Sequence, residues 1–177
     1  GDKVAKYNYA RLLYSGEGGY KDTNEAVDYW YASAKEGYLP AVYKVGEVFE
    51  LGLTVPVRPE KAYEWYHKAA IGGYEPAYQK VGLLLYEGNG IEKNIEQGIE
   101  WLSKIEGTVT SDVSLKLGKI YLLGMGIEKD LVKAKSFLEQ AMHADYSEAI
   151  FLMGKLSEET NQDDFLELYQ RAADRGF

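Results

Sequence analysis

Residues 41–52 read AVYKVGEVFELG and residues 77–88 read AYQKVGLLLYEG, the same placing of Ala, Gly and terminal Gly repeated 36 residues later. Stepped outward in both directions, the register holds along the chain. Ala5, Ala41, Ala77, Val113 and Ala149 form one column, and Ala10, Gly46, Gly82, Gly118 and Gly154 form a second. Gly16, Gly52, Gly88 and Gly124 form a third, broken in the fifth copy at Thr160. Self-similarity at a fixed period of a few tens of residues marks a repeat architecture. Five copies occupy all 177 residues, at about 3–38, 39–74, 75–110, 111–146 and 147–177, which predicts a single array with no separate second domain.

Each copy reads as two helices. Val42, Val45, Val48 and Phe49 fall at helical spacing, as do Tyr78, Val81, Leu84 and Leu85 in the next copy, and these define helix A. A glycine in mid-helix costs about 1 kcal/mol against alanine. Small residues at five equivalent places therefore predict close contact with a neighbouring helix. The glycines of the third column are expected to end helix A in the left-handed conformation. Asp22, Asn94, Asp130 and Asn161 then stand where a side-chain oxygen caps a second helix, with Glu25, Gln97 and Asp164 three residues on. In the second copy Arg58 takes the cap position, and Pro59 suits the first helical place after it.

Helix B carries Ala26, Tyr29, Trp30, Ser33 and Ala34, then Ala62, Trp65, Tyr66, Ala69 and Ala70, and in the fourth copy Ala134, Phe137, Leu138, Ala141 and Met142. The fifth copy has a shorter loop and continues the stripe with Phe165, Leu168, Tyr169, Ala172 and Ala173. Gly37 and Gly73 close helix B, and Pro40 and Pro76 open the next helix A. A two-helix unit of this size cannot bury its own apolar faces, so its stability comes from stacking on neighbours. The fold class expected is all-α, an α-solenoid of five two-helix repeats with a 36-residue period.

Composition narrows the function. Lys+Arg of 20 against Asp+Glu of 28 gives a net charge of -8, which sets a repulsive mean field against nucleic acid. With no Cys there is no thiolate metal site and no Cys nucleophile. The longest run free of charge, Ile120 to Ile127, is far too short to span a bilayer, and the opening Gly-Asp-Lys-Val reads as no signal peptide.

The stretch Gly124-Met125-Gly126-Ile127-Glu128-Lys129-Asp130, followed by Ala134, Phe137, Leu138 and Ala141, resembles the Sel-one-like repeat (SLR), a relative of the tetratricopeptide repeat. Gly88-Asn89-Gly90-Ile91 with Asn94, and Ala62, Trp65, Tyr66, Ala69, Ala70 and Gly73, fit the same pattern. The resemblance covers essentially the whole chain. It implies a right-handed superhelix acting as a protein-interaction scaffold or adaptor, without a cofactor. It also implies settings such as bacterial envelope, secretion, signalling or host contact, or eukaryotic quality control, in periplasm, cytoplasm or outside the cell. Two copies depart from the pattern. Gly52-Leu53-Thr54-Val55-Pro56 predicts a differently shaped loop, and the third copy, ending Ile105-Glu106-Gly107-Thr108-Val109-Thr110-Ser111, predicts a shorter helix B or a wider turn with altered local curvature.

No catalytic constellation emerges. His67 and His143 stand about two repeats apart and cannot share a metal ion within one array. Glu158-Glu159 and Asp163-Asp164 read as a solvated helix end and a cap. Gly16, Gly18 and Gly19 lack the strand and the Lys-Ser or Lys-Thr that a phosphate loop needs, and no Ser-x-x-Lys occurs anywhere. The chain therefore reads as no enzyme, with no catalytic residue, cofactor or metal. The aromatic column Tyr29, Trp65 and Trp101 is assigned to packing between helices.

In arrays related to the tetratricopeptide type, helix A lines the concave surface. Its non-core positions, stepped through the period, give Tyr7, Arg11 and Tyr14; Tyr43, Glu47 and Glu50; Gln79, Leu83 and Tyr86; Leu115, Lys119 and Leu122; and Phe151, Lys155 and Glu158. Leu83, Tyr86, Leu115, Leu122 and Phe151 are expected to be accessible, as an apolar strip with a charged rim that suits a peptide or protein segment. The alternative function is an envelope protein that binds glycan or peptidoglycan through exposed aromatics. The last helix-B stripe has no polar capping helix after it, which predicts continuation into further repeats or end-to-end self-association.

Overall fold

A computed structural model describes residues 2–105 and 110–177. The described residues form ten helices and no strand: α1 Lys3–Ser15, α2 Thr23–Lys35, α3 Leu39–Leu51, α4 Pro59–Ile71, α5 Pro76–Glu87, α6 Ile95–Ser103, α7 Ser111–Leu123, α8 Leu131–Met142, α9 Ser147–Glu159 and α10 Phe165–Asp174. Odd-numbered helices are the A helices and even-numbered ones the B helices. The chain forms two compact units, Gly1–Ile105 with α1 to α6 and Glu106–Phe177 with α7 to α10. Within the first unit each helix packs on the one before it in the chain, and in the second unit α7 also touches α9. This is an α-solenoid of helical repeats.

The punctuation follows from local chemistry. Gly16, Gly52, Gly88 and Gly124 all adopt the left-handed conformation, with φ between 66° and 77°, and end their A helices there. The chain then returns to the hairpin through one backbone bond repeated four times: Asp22 to Leu13, Arg58 to Phe49, Asn94 to Leu85 and Asp130 to Tyr121, at 2.8–3.1 Å. Asp22, Asn94 and Asp130 cap the following helices by accepting from the backbone N–H of Glu25, Gln97 and Lys133. Arg58 makes no side-chain cap, and Pro59 starts α4.

The fifth copy corrects one expectation. Asn161 is not a cap; it takes φ 53° just after α9 and so replaces the missing glycine as the left-handed residue. The N-cap of α10 is Asp164, whose side chain makes no capping bond. The altered loop of the second copy is visible at Thr54, which is not left-handed where Gly90 and Gly126 are. The third copy's helix B, α6, is the shortest, with 9 residues; part of the turn expected after it, residues 106–109, lies outside the described residues.

The second small-residue column has its explanation in the packing. A Cβ at Gly46 would lie 2.6 Å from the Tyr66 ring, at Gly82 2.6 Å from Leu102, at Gly118 2.7 Å from Leu138 and at Gly154 2.8 Å from Tyr169. Each of α3, α5, α7 and α9 thus approaches its own B helix so closely that a methyl group does not fit; α1, with Ala10 at this position, leaves room for one. The seam beside it is built of Val42, Val45 and Val48 in α3 and Val81 in α5, all essentially without solvent contact. Burying each such side chain contributes about 1.5–3 kcal/mol, which is how hairpins too small to fold alone become stable in a stack.

The helix-A face as a candidate functional site

Each unit carries its own share of the helix-A positions. In the first unit, Tyr7 of α1 packs against Tyr38, ring centroids 5.3 Å apart, and Tyr43 of α3 packs against Tyr74 at 5.4 Å. Tyr38 and Tyr74 precede the next A helix, in the turn after helix B. The same pairing recurs in the second unit between Phe151 of α9 and Phe177 at 5.0 Å. All of these tyrosines are half-buried, so the first unit presents a lining of tyrosine rings with one side open.

Charge frames that lining. Lys44 pairs with Glu47 at 2.5 Å. Glu50 accepts from the Tyr66 hydroxyl at 2.5 Å and from Lys80 Nζ at 2.7 Å, joining α3, α4 and α5 through one carboxylate. Burial holds the Tyr43 and Tyr66 hydroxyls well above the usual tyrosine value. Negative charge from Glu47 and Glu50 adds to this at Tyr43, and the bond to Glu50 adds to it at Tyr66. Burial, with Tyr7 nearby, also raises Tyr74. These phenols stay protonated; the Tyr66 hydroxyl is donated to Glu50 inside the hairpin, while the half-buried Tyr43 and Tyr74 offer neutral donors and ring faces. That equips the face for recognition by stacking and hydrogen bonding.

The other expected residues divide between this face and the hairpin interior. Arg11 is exposed and lies 3.8 Å from Glu17; Gln79 and Leu83 are partly buried. In the second unit Leu115 and Lys119, with Asp112, Lys116 and Glu148, line a recess of about 160 Å³, in which Lys119 pairs with Glu148 at 2.6 Å. Lys155 lies over the Phe151 ring.

The column 14, 50, 86, 122, 158 turns inward. Tyr14 rests on Trp30, Glu50 bonds Tyr66, Tyr86 stands against Gly98 of α6, and Glu158 accepts from Tyr169. Leu122, expected to be accessible, is 1% exposed and is core. This column faces its own hairpin's B helix, so an apolar side chain there is covered, while the carboxylates Glu50 and Glu158 each accept from a tyrosine hydroxyl of that helix.

Tyr38, Tyr74 and Phe177 were not among the expected site residues. Their signal is present in the register, since Tyr38, Tyr74 and Tyr146 follow one another at the 36-residue step with Thr110 between. Among the helix-B aromatics, Tyr29 meets Tyr9 and Phe137 stacks on Tyr121 as packing residues, whereas Trp65 and Trp101 are only partly buried. His67 stacks on Tyr63, and His143 is exposed at the end of α8. Among the described residues no three His, Asp or Glu side chains gather as a metal site, and no helix is long and apolar enough to cross a membrane.

Stacked hairpins whose two helices meet at a glycine-lightened seam, with an aromatic and charged lining on the A helices, define a helical-repeat protein. The Sel1 repeat family model matches residues 3–38, 39–74, 76–105, 112–146 and 166–177, and the chain belongs to that family. The crystal structure of a Sel1 repeat protein from Oxalobacter formigenes is similar, at 25% identity and TM-score 0.73, over 98% of this chain and 73% of that one. A protective antigen of uropathogenic Escherichia coli that displays an SLR fold is also similar, at 25% identity and TM-score 0.83 over 99% of this chain. The present chain spans 39% of that antigen's length. No curated protein matches. Sel1 repeats are commonly protein–protein interaction modules, and the fold is typically a non-catalytic scaffold.

Proposed function

We propose that the chain is a non-catalytic adaptor that holds a peptide or protein segment on the helix-A face of its first unit, against Tyr7, Tyr38, Tyr43 and Tyr74. The observation that carries this reading is the paired, half-open tyrosine lining between the Lys44–Glu47 pair and the Glu50–Lys80 pair. Rigid aromatic anchors inside a charged rim are the usual energetic centre of a protein interface. The second unit by itself carries Leu115, Lys119, Phe151 and Lys155 on its own A helices.

The test is binding of display-selected peptides by fluorescence anisotropy, for the parent chain and the Tyr43→Ala/Tyr74→Ala variant. Losing two half-buried rings from an interface is expected to weaken binding at least about tenfold. The melting temperature should stay well above that of Val45→Ala, a core truncation. Unchanged binding, or a double variant that melts as low as Val45→Ala, would make the lining mere packing. A second reading, glycan or peptidoglycan binding, is favoured by Tyr9 and Tyr20, 45% and 62% exposed, beside a recess of about 230 Å³ with Leu12 and Gly18. Titration with peptidoglycan fragments, read against Tyr20→Ala, tests it.

A further inference from the structure

On its helix-B side the first unit carries a recess of about 410 Å³ walled by Tyr31 of α2, Phe49 of α3 and, from α4, Lys61, Glu64, Trp65 and Lys68. Tyr31 stands edge-on to both neighbours, 6.4 Å and 87° from Phe49 and 5.8 Å and 84° from Trp65. Rings set at right angles make a corner, which fits a compact apolar or prolyl side chain better than a flat sugar ring. Lys61 is paired with Glu64 at 2.7 Å. Lys68 lies 5.3 Å above the Trp65 ring and, among the described residues, has no carboxylate within ion-pair reach. Two lysines against one glutamate disfavour a cationic ligand, and a neutral sugar would leave the Lys68 charge unused.

The device recurs one repeat on. Lys104 lies 3.8 Å above Trp101, and His67, at the register position of Tyr31, stands 5.7 Å and 78° from the Trp101 ring. Two Trp–Lys pairs, one on α4 and one at the C-terminal end of α6, give an extended chain successive places to set a carboxylate beside an apolar side chain. We infer that this recess is a second peptide site, taking a segment with an Asp or Glu next to a Pro or other apolar residue. The apolar side chain enters the Tyr31–Phe49–Trp65 corner, and the carboxylate forms a charge-assisted hydrogen bond with Lys68. The tyrosine face of the proposed function takes no part in it.

The test is a randomised peptide display on the full chain and on Lys68→Glu, followed by anisotropy with the selected synthetic peptides. Peptides enriched on the parent but not on the variant are expected to place an acidic residue beside proline or another apolar one. Lys68→Glu should weaken them at least about tenfold and should bind the same peptides better once their acidic residue is replaced by lysine. Tyr74→Ala should leave this binding intact. Lys68 is exposed, so the melt should not change; if it does, Lys68→Ala carries the same reading. No acidic enrichment, affinity unaffected at Lys68, or displacement of the peptide by chitotetraose overturns the proposal.

Discussion

Replacing Gly46 by alanine separates two forces of opposite sign. Helix propensity alone would raise stability by about 1 kcal/mol. In this structure the new Cβ would stand 2.6 Å from both Cδ1 and Cε1 of Tyr66, a ring with no solvent contact. Ordinary contact begins near 3.4 Å, so α4 or the ring must retreat by roughly 0.8 Å in a close-packed interior. Such overpacking costs about 1–3 kcal/mol. The displacement also pulls the Tyr66 hydroxyl from Glu50, a bond to a charged group worth about 1.5–3 kcal/mol. Strain and the weakened bond outweigh propensity, leaving a net loss of about 2 kcal/mol. Urea unfolding followed by circular dichroism at 222 nm reads it directly. Gly18→Ala is the control, expected within about 0.5 kcal/mol of the parent, because nothing lies within 4 Å of its Cβ position. A midpoint for Gly46→Ala equal to or above the parent's would refute the close-approach explanation of the glycine column.

Asp130→Ala removes the bond to the Lys133 N–H and should cost about 1 kcal/mol, whereas Arg58→Ala, at a position with no capping bond, should cost almost nothing; thermal melts compare the two. Alkali should destabilise the fold. Tyr43 and Tyr66 are held above the ordinary tyrosine value, so their contribution is complete below about pH 10 and declines as pH rises from there toward their folded values. Tyr66→Phe should remove much of the fall in urea midpoint between pH 9 and 11. The capping carboxylates Asp22 and Asp130 are lowered by the backbone N–H groups they accept from. Their contribution is present above the ordinary aspartate value of about 3.9 and is lost as pH falls through the folded values.

What the sequence made legible are features with one physical solution. Glycine ends a helix in the left-handed conformation at the least cost, and only a very small residue lets α3 approach Tyr66, so both columns could be read from spacing. Asp22, Asn94 and Asp130 were equally plain as caps. Asn161 misled because the same short polar side chain serves either as a cap or as a left-handed residue, and the loss of glycine at Thr160 decided between them. Leu122 misled because the column 14, 50, 86, 122, 158 lies where the helix-A face turns into the hairpin seam. Tyr, Glu and Leu all satisfy that border, so residue type did not reveal it. Tyr38 and Tyr74 were hidden in turns, outside any helical stripe, although the repeat step pointed to them.

The most direct measurement of the tyrosine-face account is ring-selective NMR of the full chain with ¹³C-labelled tyrosine, titrated with a display-selected peptide that still binds Lys68→Glu. Tyr7, Tyr38, Tyr43 and Tyr74 are expected to shift together with one saturation curve while Tyr29 and Tyr31 stay in place. Shifts confined to Tyr29 or Tyr31, with those four unmoved at saturation, would contradict it.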